Sequence, residues 1–408
     1  MLFPYLRAVM ACALAVAPLH AESSLVVTLA SVRDRVRSQN PDLAAARLRI
    51  QEALGRMNQS GRLANPELET SLEHNPRFRE GKFEVGISQR FPLTNRLRLE
   101  KDVSLTELKS SEAEVREVER QLVGEARGAV VKILAARKRR ELLSEQSGIS
   151  SEFAKSLADI AAKGEGSPLD AGQAKLEAAS LAMEMRQLDA GETALIGELK
   201  PLLGMRPGES LNVSGNLPEP VLPSNAADPS RRPDFQVAKL DALAAAQGVA
   251  LEQARRYDDV EGGFFAAAER AEDAPDGYQN EAILGLRFKI ALPFWNKNEG
   301  AIQEAQAKQT RKEKEAIALS RHIRLEAEAA RAEMQEWAKM IREINETLLP
   351  LADEQSKFAE ETFRNGQGEI QSVLRSREKR LQLAAARLDA LREFHLARVR
   401  HETALANP

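Results

Sequence analysis

The chain has 408 residues and a net charge of −3, with 29% charged and only 4% aromatic residues. That length exceeds a usual single domain, so two domains or two fused repeats are expected, and the Ala/Leu/Glu/Arg bias favours long helices over a compact globule. Both charge signs are interspersed without a basic patch or stripe, which speaks against nucleic acid as a partner, and the one cysteine, Cys12, excludes an intrachain disulfide framework or thiolate metal site.

The first 21 residues read as a secretory signal. Arg7 supplies the positive charge, and Ala8 to Pro18 form an apolar run of about ten residues, too short to span a bilayer. Leu19-His20-Ala21 places cleavage after Ala21. The rival, a lipoprotein signal acylated at Cys12, needs a longer apolar stretch than the one between Arg7 and Cys12. No later stretch is long and apolar enough for a transmembrane helix.

The rest of the chain reads as a repeat, 22–204 and 233–408, around a Pro/Gly-containing linker, 205–232. Asn40-Pro41-Asp42-Leu43 and Arg232-Pro233-Asp234-Phe235 each open an Ala-rich helical stretch. Each stretch is followed by two alternating segments, ending at Phe91-Pro92-Leu93 in the first half and Leu292-Pro293-Phe294 in the second. A very long charged helix follows each. It stops at Lys163-Gly164-Glu165-Gly166 in one half and at Asn365-Gly366-Gln367-Gly368 in the other, and a shorter helix closes each half.

The alternating segments, about 66–75, 82–92, 259–268 and 281–293, have the length and dyad pattern of outer-membrane strands. Phe83, Val85, Ile87 and Phe91 share one face, opposite Glu84, Gly86, Ser88 and Arg90. Ala282, Leu284, Leu286, Phe288, Ile290 and Leu292 do the same in the last segment. The third is the weakest, with Phe264 and Phe265 on opposite faces. Soluble hairpins would need a second apolar layer, and the flanking helices are too polar to supply one. Phe91, Phe294 and Trp295 fit an interfacial aromatic girdle. Four strands cannot close a membrane barrel, and an open edge in lipid leaves backbone groups unpaired, so copies must assemble.

The helix from Asn95 to Lys163 would span about 100 Å at 1.5 Å per residue. In the second half, Ile323, Ala330, Trp337, Ile344, Leu351 and Phe358 form a heptad row, with Ala327, Met334, Ile341 and Leu348 as its partner. Pro350 should kink this helix near Asn345 and Glu346. The helices 31–64 and 169–203 together match the length of the first long helix, so each repeat makes one continuous column and one of two stacked helices.

These features together resemble the TolC-like outer-membrane efflux protein family over essentially the whole mature chain. Asn65-Pro66-Glu67-Leu68 is similar to the family's lead into its first strand. Gly164-x-Gly-Ser-Pro-Leu-Asp170 and Gly366-x-Gly-Glu-Ile-Gln-Ser-Val-Leu374 are similar to its two helix-hairpin tips. The resemblance implies a mainly α fold with a small β part: a homotrimer with a twelve-stranded barrel in outer-membrane lipid and a tunnel of antiparallel coiled-coil helices through the periplasm. It implies tips that dock a periplasmic adaptor bridging to an inner-membrane pump. Gly164, Gly166, Gly366 and Gly368 reverse the helices, and Ser167 and Glu369 stand where the next helix begins. Leu169, Asp170 and Ile370 complete the expected adaptor contacts.

One departure stands out. Well-known members carry two aspartates one helical turn apart at the second tip, where this chain has Ser372 and Arg375, with Glu369 the nearest acid. An Arg375 ring would favour anions or pair with a neighbouring acid to lock the mouth. No catalytic constellation is present: His74, His322, His395 and His401 are scattered, and no phosphate-binding loop or nucleophile elbow appears. No cofactor or metal is expected. A periplasmic coiled-coil adaptor or an envelope scaffold is the alternative, though an adaptor would need flanking Gly-rich β domains and a scaffold would not need the strands. The short loop from Asn75 to Lys82 leans toward the heavy-metal or small-molecule exporter branch.

Overall fold

The computed structural model describes residues 25–223, 228–273 and 275–406. The expected signal segment, Cys12 included, lies outside them. In chain order the elements are β1 (Leu25–Val27), α1 (Val32–Gln39), α2 (Pro41–Gln59), β2 (Glu67–His74), β3 (Gly81–Phe91), α3 (Arg96–Ala162) and α4 (Pro168–Leu202). Then come β4 (Leu211–Val213), α5 (Pro233–Ala254), β5 (Val260–Asp273), β6 (Gly277–Lys289), α6 (Glu299–Glu343), α7 (Leu349–Arg364) and α8 (Ile370–Ala404).

The helices form four columns. The 67-residue α3 lies against α2 and α4 on one side and against α5 and α8 on the other, and α6 with α7 packs on the far side of α5 and α8. The order across the protomer is therefore α2/α4, α3, α5/α8, α6/α7. The sheet repeats that order, β2-β3-β5-β6, all antiparallel. Each strand runs directly into or out of its column, so the outer strands β2 and β6 belong to the outer columns.

The opening helix is divided. Asn40 has an extended backbone and caps α2, its side chain accepting from the Leu43 N–H at 2.9 Å, with Pro41 in the first turn where a missing N–H costs nothing. The same side chain donates to the Leu202 carbonyl at the end of α4, also at 2.9 Å. This joins the two halves of the stacked column.

The α-helical winding breaks just before Pro350, at the place expected. Residues Ile344–Leu348 form a π-helical segment. Its extra residue rotates everything beyond it by about 100°. Ile323, Ala330, Ile344, Ala327, Met334 and Ile341 are buried as the heptad requires. Past the π segment the buried positions are Ala352 and Ser356, each one residue later than the heptad predicts, and Leu351 and Phe358 turn out to solvent at 50% and 71% exposure. The expected seam therefore ends at Pro350.

The hydrophobic core sits at the waist, and part of it was not anticipated. β1 pairs in parallel with β4, placing Val27 beside Val213. Both are buried with Val32 and Val36 of α1, Val130 and Ile133 of α3, and Leu199 and Leu203 at the end of α4. The 205–232 stretch thus straps the chain's beginning to the middle of its longest helix.

The second hairpin differs from the sequence reading. β5 runs on to Asp273 rather than ending at 268. β6 starts at Gly277, not 281, and ends at Lys289, not 293. The register stays continuous from Glu261↔Lys289 to Asp273↔Gly277, and the reversal is tight, with Gly277 at φ +86°. The Ala-rich and charged run 266–273 lacks the alternation that would have marked it as strand. At the other end Pro293, with no N–H to donate, follows an irregular segment rather than closing the strand.

Candidate functional site

Two regions can carry function: the sheet and the helical tips. In the sheet, register assigns every side chain to a face. Ile87 stands between Leu68 and Phe264, and Phe264 is opposite Leu286. Leu68, Leu72, Leu284, Leu286 and Phe288 are each at least 70% exposed on this face. A row of large apolar side chains in open contact with solvent has no soluble explanation, whereas lipid would solvate it. Phe294 and Trp295, the latter 97% exposed, sit just past the last strand as an edge-to-face pair with centroids 6.3 Å apart.

The opposite face is polar and cross-linked. Arg287 donates to Glu69 at 2.9 Å and also pairs with Glu84, which accepts from Lys82 at 3.1 Å. Arg90 bridges Glu67 at 3.1 Å and Glu261 at 3.5 Å. These pairs tie all four strands together. Phe265, the misfit of the alternation, belongs to this face. Its ring lies over Gly285, where a Cβ would come within 2.4 Å of the ring, and the Arg287 guanidinium stands 5.1 Å from its centroid. The glycine opposite makes room for the phenylalanine. Acids outnumber bases on this face: Glu67, Glu69, Glu73, Glu84, Glu261, Glu269 and Glu281 against Lys82, Arg90, Arg287 and Lys289.

At the far end the two tips close identically. The Gly164 N–H donates to the Ala161 carbonyl and the Glu165 N–H to that of Ile160. In the second tip, Gly366 donates to Phe363 and Gln367 to Thr362. Both are paired helix-ending bonds around a left-handed glycine, Gly164 at φ +79° and Gly366 at φ +69°. Gly166 and Gly368 are needed for space: a Cβ would meet Ile160 at 2.9 Å in the first and the Phe363 backbone at 3.1 Å in the second. Ser167 caps α4 by accepting from the Asp170 N–H at 3.4 Å, whereas Glu369 holds the cap position of α8 without a side-chain bond.

The expected contact residues separate on exposure. Leu169 is 69% exposed and Ser167 is open, but Ile370 is only 4% exposed. It packs with Ala154, Leu157 and Ala174, joining one hairpin to the other. Its side chain is therefore internal cement, not a surface. Ser372 and Arg375 are exposed. Arg375 reaches only Gln371, at 3.2 Å, and has no carboxylate within ion-pair distance among the described residues. Sequence reasoning missed Arg377 nearby. It donates to Glu360 at 2.8 Å and covers the Phe153 ring at 4.5 Å, so it links α8 to α7 and α3. An arginine amid a charged helix carries no signal that would mark it.

Among the described residues no helix is long and apolar enough to cross a membrane, and no group of His, Cys, Asp and Glu is arranged to hold a metal ion. The apolar sheet face on a long helical stalk defines a membrane-channel protomer. Residues 32–193 match the sequence profile of the outer membrane efflux protein family. Across 93% of the chain and 87% of the relative, it is 24% identical to the cobalt-zinc-cadmium resistance protein CzcC of Cupriavidus metallidurans. Its fold matches the outer-membrane channel OprN with a TM-score of 0.79 at 17% identity, covering 93% of this chain and 90% of that one. It matches CusC at 0.77 and 16% identity (92% and 91% covered) and Vibrio cholerae VceC at 0.75 and 19% (92% and 95%). The chain thus carries the outer membrane efflux protein profile over residues 32–193, and its fold is that of the outer-membrane channels OprN, CusC and VceC.

Proposed function

We propose that three copies of this chain close head to tail into a passive exit duct, fed by an inner-membrane pump through a periplasmic adaptor that docks on the two tips. The observation that carries this reading is where the unburied apolar side chains of the helices lie. Those at least half exposed are Leu48 on α2, Leu169, Leu176 and Met183 on α4, Ile317 and Leu325 on α6, and Leu351 and Phe358 on α7. All belong to the two outer columns. Leu169, Leu176 and Met183 recur every seven residues, as do Leu351 and Phe358, which is the spacing of a helix seam lacking its partner. The edge strands β2 and β6, each paired on one side only among the described residues, lie at the same two edges. A surface apolar on both edges, and different on each, favours a ring closed by rotation. Three protomers give twelve strands, within the known range of membrane barrels.

Cargo follows from the lining. An acid-rich inner face raises the local concentration of cations, and the similarity to a cobalt-zinc-cadmium resistance protein favours divalent metal ions over bulky drugs. The duct itself supplies no energy. At its periplasmic mouth, Arg375 replaces the acid found in well-known members and would form a cationic ring.

Purification from outer membranes in mild detergent, with mass measurement and planar-bilayer conductance on one sample, tests the reading. A conducting trimer supports it, and Arg375→Ala should then raise the conductance. A non-conducting monomer or dimer from the periplasmic fraction would overturn it.

A further inference from the structure

At the waist, α1, α3 and the end of α8 enclose a cavity of about 350 Å³ with the turn before α5. Six guanidinium groups line it: Arg33, Arg37, Arg116, Arg120, Arg127 and Arg231. Only two carboxylates do so, Glu119 and Glu402. We infer that this cavity binds a small polyanion, one carrying several phosphoryl or carboxylate oxygens.

Half of the arginines are already matched. Arg37 pairs with Glu119, Arg127 with Glu402, and Arg120 with Glu117 just outside the cavity. Arg120 also donates to the Thr403 carbonyl at 2.7 Å, so it neutralises the partial negative charge at the end of α8. The remaining three have little to hold. Arg116 reaches only the neutral Gln236 side chain, at 3.0 Å. Arg33 makes no ion pair among the described residues, and Arg231 lies 3.9 Å from Asp228 with a mostly exposed side chain. Clustered guanidinium groups with low-dielectric walls repel one another and focus a positive field into the space between them. Planar forks of N–H donors match paired anionic oxygens, and each such bond is stronger than a neutral one.

The cavity is also built rather than incidental. Gly124 forms part of its wall, where a Cβ would come within 3.0 Å of the Thr403 hydroxyl, so the glycine lets the end of α8 close against α3. Five of its arginines come from the first half of the chain and Arg231 from the linker. A bound anion would bridge the two and relieve the repulsion among the arginines. The site lies about 30–45 Å along α3 from the sheet, at 1.5 Å per residue, and is separate from both the sheet and the tips.

The test is calorimetric titration of the full-length chain in detergent with sodium pyrophosphate and, separately, citrate, at low and at raised salt. The expected result is one saturable site per chain for at least one probe, weakened by salt. Arg33→Gln combined with Arg116→Gln should weaken it about tenfold or more, because each loses charged hydrogen bonds. Neither residue holds a carboxylate, so circular dichroism and oligomeric mass should not change. If that pair fails to fold, the exposed Arg231→Gln serves in its place. Arg140→Gln, whose side chain pairs with Asp189 elsewhere, should leave the affinity unchanged. Binding of pyrophosphate alone assigns a phosphoryl ligand, and binding of citrate alone a carboxylate. No saturable binding of either, or equal affinity in the Arg33/Arg116 variant, overturns the proposal. Neither result depends on whether the protein conducts.

Discussion

The Asn40 side-chain amide donates to the main-chain carbonyl of Leu202 at 2.9 Å, across 162 residues of sequence. Its oxygen meanwhile accepts from Leu43, so one buried side chain begins α2 and terminates α4. Gly204 makes the junction possible: at φ +67° it lies so close to Gln39 that a Cβ would come within 2.0 Å of that carbonyl oxygen. A column of two helices is only as straight as this joint.

Asn40→Ala should therefore cost about 1–2 kcal/mol from the lost cap, and more from the orphaned Leu202 carbonyl. Asn40→Asp keeps the acceptor but sets a carboxylate against that carbonyl, so it should recover little. Thermal unfolding followed by circular dichroism measures both. An Asp variant as stable as wild type would show that the cap alone matters.

Phe265 and Gly285 should behave as a pair. Gly285→Ala drives a Cβ into the Phe265 ring and ought to impair sheet assembly, read as loss of the proposed oligomer by mass measurement in mild detergent. Adding Phe265→Ala should restore it, since the ring is the obstacle. Failure of that rescue would place the requirement for glycine in the backbone instead.

His395 should make the waist pH-sensitive. It is 2% exposed, and its Nε2 lies 2.8 Å from the Pro218 carbonyl, tying the linker strap to α8. Burial lowers its pKa from the ordinary histidine value. The Pro218 carbonyl, Glu402 and Glu219 oppose that shift, and Arg398 adds to it. His401 is lowered in the same way by burial, with Arg331 adding and Glu402 opposing. A histidine whose folded pKa is depressed binds its proton more readily when unfolded. Stability should therefore fall as pH drops below about 6.5, the unfolded value. Denaturant midpoints between pH 7.5 and 5 should show this decline. It should become shallower, with the His401 part remaining, in His395→Gln, which keeps a donor for the Pro218 carbonyl without the titration.

At the tips, Ile370 and Leu169 should part company. Ile370→Ala empties a buried position and should destabilise by about 2–5 kcal/mol. Leu169→Ala should stay within about 0.5 kcal/mol of wild type, as a surface change does, while weakening capture of a periplasmic adaptor in pull-down. Unimpaired capture would remove Leu169 from the docking surface.

Much of this architecture is written in local pattern. The length of α3, the alternation of β2, β3 and β6, and the glycines at 164 and 366 are each set within a few turns of chain. Periodicity and permitted φ values act at that range, so a polar helical stalk ending in an apolar-faced sheet is legible from residue order alone. What joins distant segments was decided only by tertiary structure. β1 and β4 have three residues each, too few to show any period, and are strands only because they meet each other over α3. The extended register of β5 with β6 follows from pairing, not from the Ala-rich run itself. The π segment before Pro350 slips the heptad by one residue. That moves Leu351 and Phe358 from seam to edge, and no count along the sequence reveals it. Ile370 looked like surface because a hairpin tip is exposed on average. It is buried because a second hairpin, some 200 residues away in the chain, packs against it, and contacts of that separation leave no local signature.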